Sequence, residues 1–169
     1  MQIGFPDTRV TNNFQVAYVT TDIDRAVAVF RERFGIPDML VWRDVSIDVT
    51  TPTGAGTSVM SVAFAWVGDL MYEVIEPISG PVDFYRQHLQ GDGFQIAFHH
   101  LGFEIVGERD DWERFRDEVS ASRTLPVTGP ADYPIQFIYS DETAVLGHYH
   151  EYVWFGPGGK ESMADIPRY

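Results

Sequence analysis

The chain of 169 residues contains no cysteine, which excludes disulfide scaffolds and thiolate metal sites and leaves His, Glu, Asp and Gln as candidate ligands. Apolar residues make up 44% and aromatic residues 14%, which is enough for a packed core and argues against disorder. The formal net charge of −13 disfavours nucleic acids and anionic membranes as partners.

Residues 1–13 are predicted to form an N-terminal extension. They contain no basic stretch followed by an apolar run, so no signal peptide is recognisable. No later segment approaches the roughly 20 apolar residues that span a bilayer. We therefore expect a cytoplasmic protein that binds neither membranes nor nucleic acids.

Residues 14–80 are predicted to form a first unit of strand, helix and three strands. A strand signal is followed by Asp22 as a helix N-cap, and apolar residues at helical spacing end at Gly35. Three further strand-like runs follow, at 39–49, 58–67 and 69–76.

Residues 81–95 are predicted to form a linker helix and turn, and residues 96–156 then repeat the order of the first unit. A strand is expected at 99–106 and a helix at 110–121, with Trp112, Phe115 and Val119 on one face. Strands are expected at 125–128, 135–140 and 149–155. Residues 157–169 form a polar, Gly-rich C-terminal tail, either a mobile end or an arm over a neighbour.

The repeated order predicts an α+β fold of two tandem βαβββ modules. A helix on one side of each four-stranded sheet leaves the other face free to curl around a cavity. We therefore expect a curved, barrel-like mixed sheet around a central cleft.

A polar residue falls at matching places in the two units. The first and last strands carry Gln15 and Glu73 in the first unit, and His100 and Glu151 in the second, at separations of 58 and 51 residues. Taken singly, each position has an ordinary structural explanation. These are a salt bridge or sheet-edge carboxylate for Glu73 and Glu151, a buried structural histidine for His100, and a water-facing strand residue for Gln15. The four together predict one site that draws ligands from both units.

Strand alternation places Glu73 on the same face as Met71 and Ile75, inside an apolar run. A carboxylate there is costly unless it is paired, hydrogen-bonded or bound to a metal. The same argument applies to Glu151, which lies in an equally apolar strand.

Strand alternation predicts that the adjacent residues His99 and His100 lie on opposite faces of their strand. His100 shares its face with Gly102, and His99 is expected to point the opposite way. The remaining histidines are interpreted as surface or supporting residues: His88, His148 and His150.

A set of one His, one Gln and two Glu suits a divalent ion such as Zn²⁺, Ni²⁺, Co²⁺, Mn²⁺ or Mg²⁺ with open coordination positions. Iron fits less well, because iron-dependent oxygen chemistry commonly uses two His and one carboxylate. We therefore expect one divalent metal ion as the cofactor.

Four segments of the chain carry a family resemblance. They are Gln15-Val-Ala-Tyr-Val-Thr-Thr-Asp-Ile-Asp-Arg-Ala, His99-His100-Leu-Gly-Phe-Glu-Ile, residues 70–77 and Glu151-Tyr-Val-Trp. Over residues 14–155 the chain resembles the vicinal oxygen chelate superfamily, which includes glyoxalase I, methylmalonyl-CoA epimerase, extradiol dioxygenases and bleomycin-resistance proteins. The pattern is closest to glyoxalase I and the epimerases. The resemblance implies Gln15, Glu73, His100 and Glu151 as metal ligands, and a homodimer.

The function implied by this resemblance is that of a metal-dependent lyase or isomerase acting on a small molecule. It would transfer a proton next to a carbonyl through a metal-bound enolate or enediolate, with Glu151 as the base and Glu73 as the second candidate. Two alternatives stay open: an iron-dependent dioxygenase of the same fold, and a metal-free small-molecule-binding protein of the drug-resistance type.

Two further groups of residues are candidates for binding the substrate. Arg43 and Arg123 are possible anchors for an acidic group. Five apolar side chains could line the cleft or belong to an ordinary core: Met60, Phe64, Trp66, Phe137 and Tyr139.

Overall fold

The protein is described by a computed structural model that covers residues 10–169. The strands are β1 (Val10–Thr20), β2 (Leu40–Thr51), β3 (Gly54–Val67), β4 (Leu70–Ser79), β5 (Ile96–Ile105), β6 (Ile135–Asp141) and β7 (Tyr149–Phe155). The helices are α1 (Ile23–Phe34), α2 (Asp83–Arg86), α3 (Arg109–Ser122) and α4 (Thr143–Leu146), with a 3-10 helix at Glu161–Met163. Within this part of the chain, no helix combines the length and apolar character needed to cross a bilayer.

The seven strands form one curled sheet in the order β2-β3-β4-β1-β5-β7-β6. Within each unit the last strand runs parallel to the first, as β4 does to β1 and β7 does to β5. The two units join through the antiparallel pairing of β1 and β5 at the centre. The predicted α+β class and the curved mixed sheet are confirmed.

Helix α1 forms where the sequence predicts it. The Asp22 side chain accepts a hydrogen bond from the Arg25 amide at 3.0 Å, and Gly35 ends the helix in the left-handed conformation at φ 68°. Its buried residues Ile23, Ala26 and Phe30 pack against the outer face of the first unit.

Helix α3 covers the outer face of the second unit in the same way. Trp112, Phe115 and Val119 pack against side chains of the sheet that include Ile138 and Tyr152. With both long helices on the outer face, the inner face lines a cavity.

The predicted strand at 125–128 is wrong, because that segment forms only isolated bridges. Thr128 pairs with Thr50 of β2 and with Ile138 of β6, so one residue joins the two edges of the sheet. Thr50 and Thr128 exchange two backbone hydrogen bonds of 2.9 Å. Pro126 has no amide hydrogen to donate, and this limits the pairing of the segment.

The two ends of the chain differ from the prediction. Strand β1 begins at Val10, before the expected strand start, while residues 1–9 of the predicted extension lie outside the described residues. The tail is not a mobile end: Ile166 is 3% exposed, and the backbone at Pro167 and Tyr169 hydrogen-bonds to β3. Helix α4 was not predicted.

Candidate metal centre

The four predicted residues lie in two neighbouring rows across the centre of the sheet. In the first row Gln15 of β1 pairs with Gly102 of β5, which pairs with Glu151 of β7. Two residues along, Ala17 pairs with both Glu73 of β4 and His100 of β5. Each row therefore holds two polar residues separated by one small residue.

The polar atoms of this cluster lie within contact distance. Gln15 Nε2 donates a hydrogen bond to Glu73 Oε2 at 2.9 Å. His100 Nε2 lies 3.3 Å from Glu73 Oε2 and 3.2 Å from Glu151 Oε2. One ligand atom from each of Glu73, His100 and Glu151 lies within 4.8 Å of the others, so these three buried residues could hold a metal ion.

Glycine at position 102 is required by the close approach of the Gln15 side chain. A Cβ at Gly102 would lie 2.3 Å from Gln15 Oε1 and 2.7 Å from Gln15 Cβ, inside van der Waals contact. The equivalent place in the other row is Ala17, which is completely buried. Small residues at both places give the longer side chains room to converge.

Two buried atoms of the cluster have unused bonding capacity. Gln15 Oε1 has no hydrogen-bond partner, and neither has His100 Nε2, which the carboxylate oxygens approach at angles unsuited to a hydrogen bond. Unsatisfied buried polar atoms are costly. An amide oxygen, an imidazole nitrogen and two carboxylates form a donor set suited to a divalent ion, so these residues fit such a cofactor.

The charges of the cluster are strongly coupled. Burial opposes a charge on His100, but the carboxylates of Glu151 and Glu73 outweigh this effect and raise the pKa of His100 to about 9. Burial also raises the pKa of Glu73, with a further contribution from Glu151 that opposes the effect of His100. Without a metal ion, the imidazolium is the positive charge between the two carboxylates.

The predicted orientation of His99 is wrong. A bulge in the pairing of β1 with β5 leaves His99 without a partner residue, because Ala17 pairs with His100 and Tyr18 with Phe98. The His99 side chain therefore lies on the inner side, where its Nδ1 is 2.9 Å from His100 Nδ1. The sequence shows adjacent histidines but gives no sign of the bulge.

His99 can fix the proton of His100. His99 Nε2 lies 3.3 Å from the Phe84 carbonyl oxygen, which can only accept a hydrogen bond. A neutral His99 that donates there leaves its Nδ1 as the acceptor for the Nδ1–H of His100. Burial lowers the pKa of His99 well below its usual value, consistent with the neutral form. With its Nδ1 proton held by His99, His100 would have its Nε2 available to bind a metal ion in place of the Nε2 proton of the imidazolium.

The other histidines lie outside the cluster. The rings of His148 and His150 contact each other at 5.3 Å between centroids, and His150 also packs against Phe103. His88 packs against His99 and Tyr149. Among residues 10–169, the group of potential metal-binding side chains is Glu73, His100 and Glu151.

The cluster faces a cavity of about 620 Å³ inside the curled sheet. Gln15, Glu73 and Glu151 contribute to its lining, while His100 is fully buried behind them. Of the five apolar residues predicted to line a cleft, four do so: Met60, Phe64, Phe137 and Tyr139. Trp66 instead lines a second pocket of about 440 Å³ beside the C-terminal tail.

Tyr85 is a cavity residue that the sequence did not single out for a functional role. It comes from the short helix α2, and its ring packs edge to face against that of Tyr139 at 6.2 Å between centroids. Burial raises the pKa of both tyrosines, which stay neutral and can donate hydrogen bonds to a ligand oxygen.

The two arginines predicted to anchor an acidic group lie elsewhere, so that prediction is wrong. Arg43 Nη2 pairs with Asp24 Oδ1 of α1 at 2.6 Å, and Arg123 pairs with Glu142. Neither lines the cavity.

Comparison with known proteins finds likeness in structure alone. No family model and no curated protein sequence matches the chain. The hypothetical protein BH1468 from Bacillus halodurans C-125 is 15% identical, with 85% of this chain and 93% of that chain covered at a TM-score of 0.54. The methylmalonyl-CoA epimerase from Mycobacterium tuberculosis is 12% identical, with 89% and 90% covered at a TM-score of 0.52.

A variant of the Streptomyces coelicolor methylmalonyl-CoA epimerase, in complex with 2-nitronate-propionyl-CoA, is also similar. It is 15% identical, with 86% of this chain and 94% of that chain covered at a TM-score of 0.52. These matches show that the chain has the fold of the vicinal oxygen chelate superfamily, and the resemblance seen in the sequence is confirmed at the level of the fold. Its structural neighbours include methylmalonyl-CoA epimerases.

Proposed function

We propose that the protein is a metal-dependent lyase or isomerase that transfers a proton next to a carbonyl group. One observation carries this proposal: Glu73, His100 and Glu151, from three different strands, converge beside an apolar cavity that the two carboxylates line. The epimerases among the structural neighbours support an enzyme of this class because they share the fold.

The metal ion would be held by Glu73, His100 and Glu151, with Gln15 Oε1 as a fourth donor. This assignment uses the two buried atoms of the cluster that have no hydrogen-bond partner, Gln15 Oε1 and His100 Nε2. When bound, a divalent ion would supply Lewis-acid stabilisation of the negative charge that develops on a carbonyl oxygen.

Glu151 is the proposed base. The Gln15 amide donates a hydrogen bond to Glu73 and holds that carboxylate in place, whereas Glu151 has no such amide donor among the described residues. Its carboxylate is therefore freer to accept a proton from the substrate carbon and to return it. Glu73 remains the second candidate.

Tyr85 and Tyr139 would bind a substrate oxygen. Both line the cavity, and both keep their protons because burial raises their pKa. A neutral hydroxyl can donate a hydrogen bond to an oxygen that gains negative charge.

The proposal is tested by replacing Glu151 with Gln, which keeps the shape of the side chain but removes the base. With α-hydroxyacetophenone in D₂O, proton NMR measures how fast deuterium enters the carbon next to the carbonyl. We expect Glu151→Gln to slow this exchange by about 10²- to 10⁴-fold, the usual contribution of a general base. Exposed Glu32 on α1 provides the matched control, Glu32→Gln, which should keep the wild-type rate.

Elemental analysis separates the loss of the base from the loss of the metal ion. Protein purified without chelator should contain about one divalent ion per chain, and a His100→Ala, Glu151→Ala double variant should lose it. Glu151→Gln that keeps its metal and its full exchange rate would remove Glu151 from the mechanism. Wild-type protein without metal, even after reconstitution, would favour a binding protein, and iron would favour a dioxygenase.

A further inference from the structure

We infer that the cavity accepts an uncharged, mainly apolar ketone of about the size of a substituted aromatic ring. The position of the carbonyl rests on the proposed function, since it places that group at the Glu73, His100 and Glu151 cluster. The inference that the substrate is uncharged depends on the residues that line the cavity outside this cluster.

The side chains that surround the cavity away from the cluster are mainly apolar. They include Trp42, Met60, Phe64, Ile75 and Phe137. The Trp42 and Phe64 rings pack edge to face at 5.1 Å between centroids, which gives a flat group an aromatic surface to contact. A volume of about 620 Å³ is within the range of small-molecule sites.

Away from the cluster, the described residues offer no cation to bind an anionic group inside this cavity. Among residues 10–169, no Lys or Arg contributes to its lining. The charged lining residue outside the cluster is Asp48, which is exposed and accepts a hydrogen bond from Thr57 at 2.7 Å. Away from the cluster, the described residues that line the cavity and its rim therefore carry negative charge only.

The neighbouring pocket does not supply the missing positive charge. Its two cations are Lys160 and Arg168, and it also contains the carboxylates of Asp69 and Glu104. Lys160 is paired with Glu104, and the Arg168 guanidinium lies over the Trp66 ring at 4.3 Å from the centroid. The charge of Lys160 is therefore paired with a carboxylate, and the Arg168 guanidinium is held against an aromatic ring.

An anionic group held away from the cluster would lose its hydration in the cavity without gaining a cationic partner there. It would also approach against the field of a chain whose formal net charge is −13. An uncharged ligand avoids both costs and gains the burial of its apolar surface. The structure thus favours a neutral ketone over a ligand that carries a carboxylate or phosphate group.

The experiment compares two probes of equal shape that differ in one charge: para-(hydroxyacetyl)benzamide and para-(hydroxyacetyl)benzoate. Isothermal titration calorimetry measures the affinity of each for metal-free protein and for Zn²⁺-loaded protein. We expect the benzamide to bind about tenfold or more tightly than the benzoate in both forms, because the buried carboxylate is left unpaired.

A charge reversal at the rim provides a second measurement. Asp48→Lys places a cation at the cavity, and Glu32→Lys makes the same change on the exposed face of α1. We expect Asp48→Lys to narrow the preference for the benzamide by about twofold to fivefold, the size expected for an exposed ion pair. Glu32→Lys should leave the preference as in the wild type.

Equal or tighter binding of the benzoate in either form would overturn the inference, and so would equal effects of the two lysine variants. In metal-free protein, the ratio of the benzamide affinity to the benzoate affinity depends on the residues of the cavity and not on a metal ion. If the protein takes up no metal but keeps its preference for the benzamide, the proposed reaction fails while the neutral character of the ligand stands.

Discussion

The two units place their polar residues at equivalent positions but supply different chemistry. The first unit contributes an amide and a carboxylate, from Gln15 and Glu73, and the second an imidazole and a carboxylate, from His100 and Glu151. The two units therefore share the positions of their metal-ligand candidates in the strands, but the chemical type of the first-strand side chain differs: an amide in one unit and an imidazole in the other. Gln15 and His100 are the donors on the two central strands, β1 and β5. Of these two, the His100 imidazole is the stronger ligand, since amide oxygens suit hard cations and bind them weakly.

The support behind the two central donors differs as well. His100 is oriented by His99, which is in turn fixed by the carbonyl of Phe84. Gln15 is held by its hydrogen bond to Glu73, and its oxygen has no hydrogen-bond partner. The two equivalent positions thus carry His100, whose ring is oriented by a hydrogen bond, and Gln15, whose amide oxygen has no hydrogen-bond partner. We therefore expect substitutions at the two positions to change metal affinity unequally.

The largest expected effect comes from removing the imidazole. His100→Ala should weaken Zn²⁺ binding by more than the roughly 10- to 100-fold typical of supporting residues, and Gln15→Ala should weaken it less. Competition with a chelating dye measures both affinities, and His150→Ala is the control on the outer face of the neighbouring strand β7, outside the cluster. Equal losses in the two variants would show that the units contribute alike.

The next effect concerns the support of His100. His99→Phe keeps an aromatic ring beside Phe84 and Tyr85 but removes the acceptor for the His100 Nδ1–H. We expect Zn²⁺ affinity to fall by about 10- to 100-fold with the fold preserved. His150→Phe makes the same chemical change outside the cluster and should leave the affinity unchanged. An unaltered affinity in His99→Phe would contradict the positioning role.

The small residues between the donors give a third test. Gly102→Ala should lower the free energy of unfolding by about 1–3 kcal/mol, because its Cβ would overlap the Gln15 side chain. Urea denaturation measures the loss. A Gln15→Gly background removes the side chain that clashes, so the same substitution should cost less there; an equal cost in both backgrounds would assign the loss to another contact.

The smallest effect tests how the second unit closes the sheet. Thr128→Pro removes the amide that donates to the Thr50 carbonyl at 2.9 Å. We expect a loss of about 0.5–1.5 kcal/mol in the free energy of unfolding, the net contribution of one hydrogen bond. Thr128→Ala keeps the amide and is the matched control. Equal stability of the two variants would show that this bridge does not hold the edges together.

Features of the fold that depend on local sequence patterns, such as strand alternation and helix caps, could be predicted from the sequence. The face of Glu73 with Met71 and Ile75 follows from strand alternation, and the bounds of α1 follow from its cap residues. The convergence of donors far apart in the chain followed from the duplication, because equivalent strands of paired units meet at the centre of one sheet.

The remaining features depend on partners that the local sequence does not specify. The bulge at His99 arises from the register between β1 and β5, and a one-residue shift changes the face of a side chain. The pairing of Arg43 with Asp24 and of Arg123 with Glu142 likewise depends on tertiary placement. Their charges are evident in the sequence, but their neighbours are not.

The C-terminal tail has a consequence for the solution behaviour of the protein. Strand β2 begins at Leu40 opposite Phe64, so it does not reach the last residues of β3. There, Trp66 donates to the Pro167 carbonyl at 2.8 Å and accepts from the Tyr169 amide at 3.0 Å. Unpaired strand edges promote aggregation. The final residues therefore protect an apolar edge, and trimming them would expose a surface for self-association.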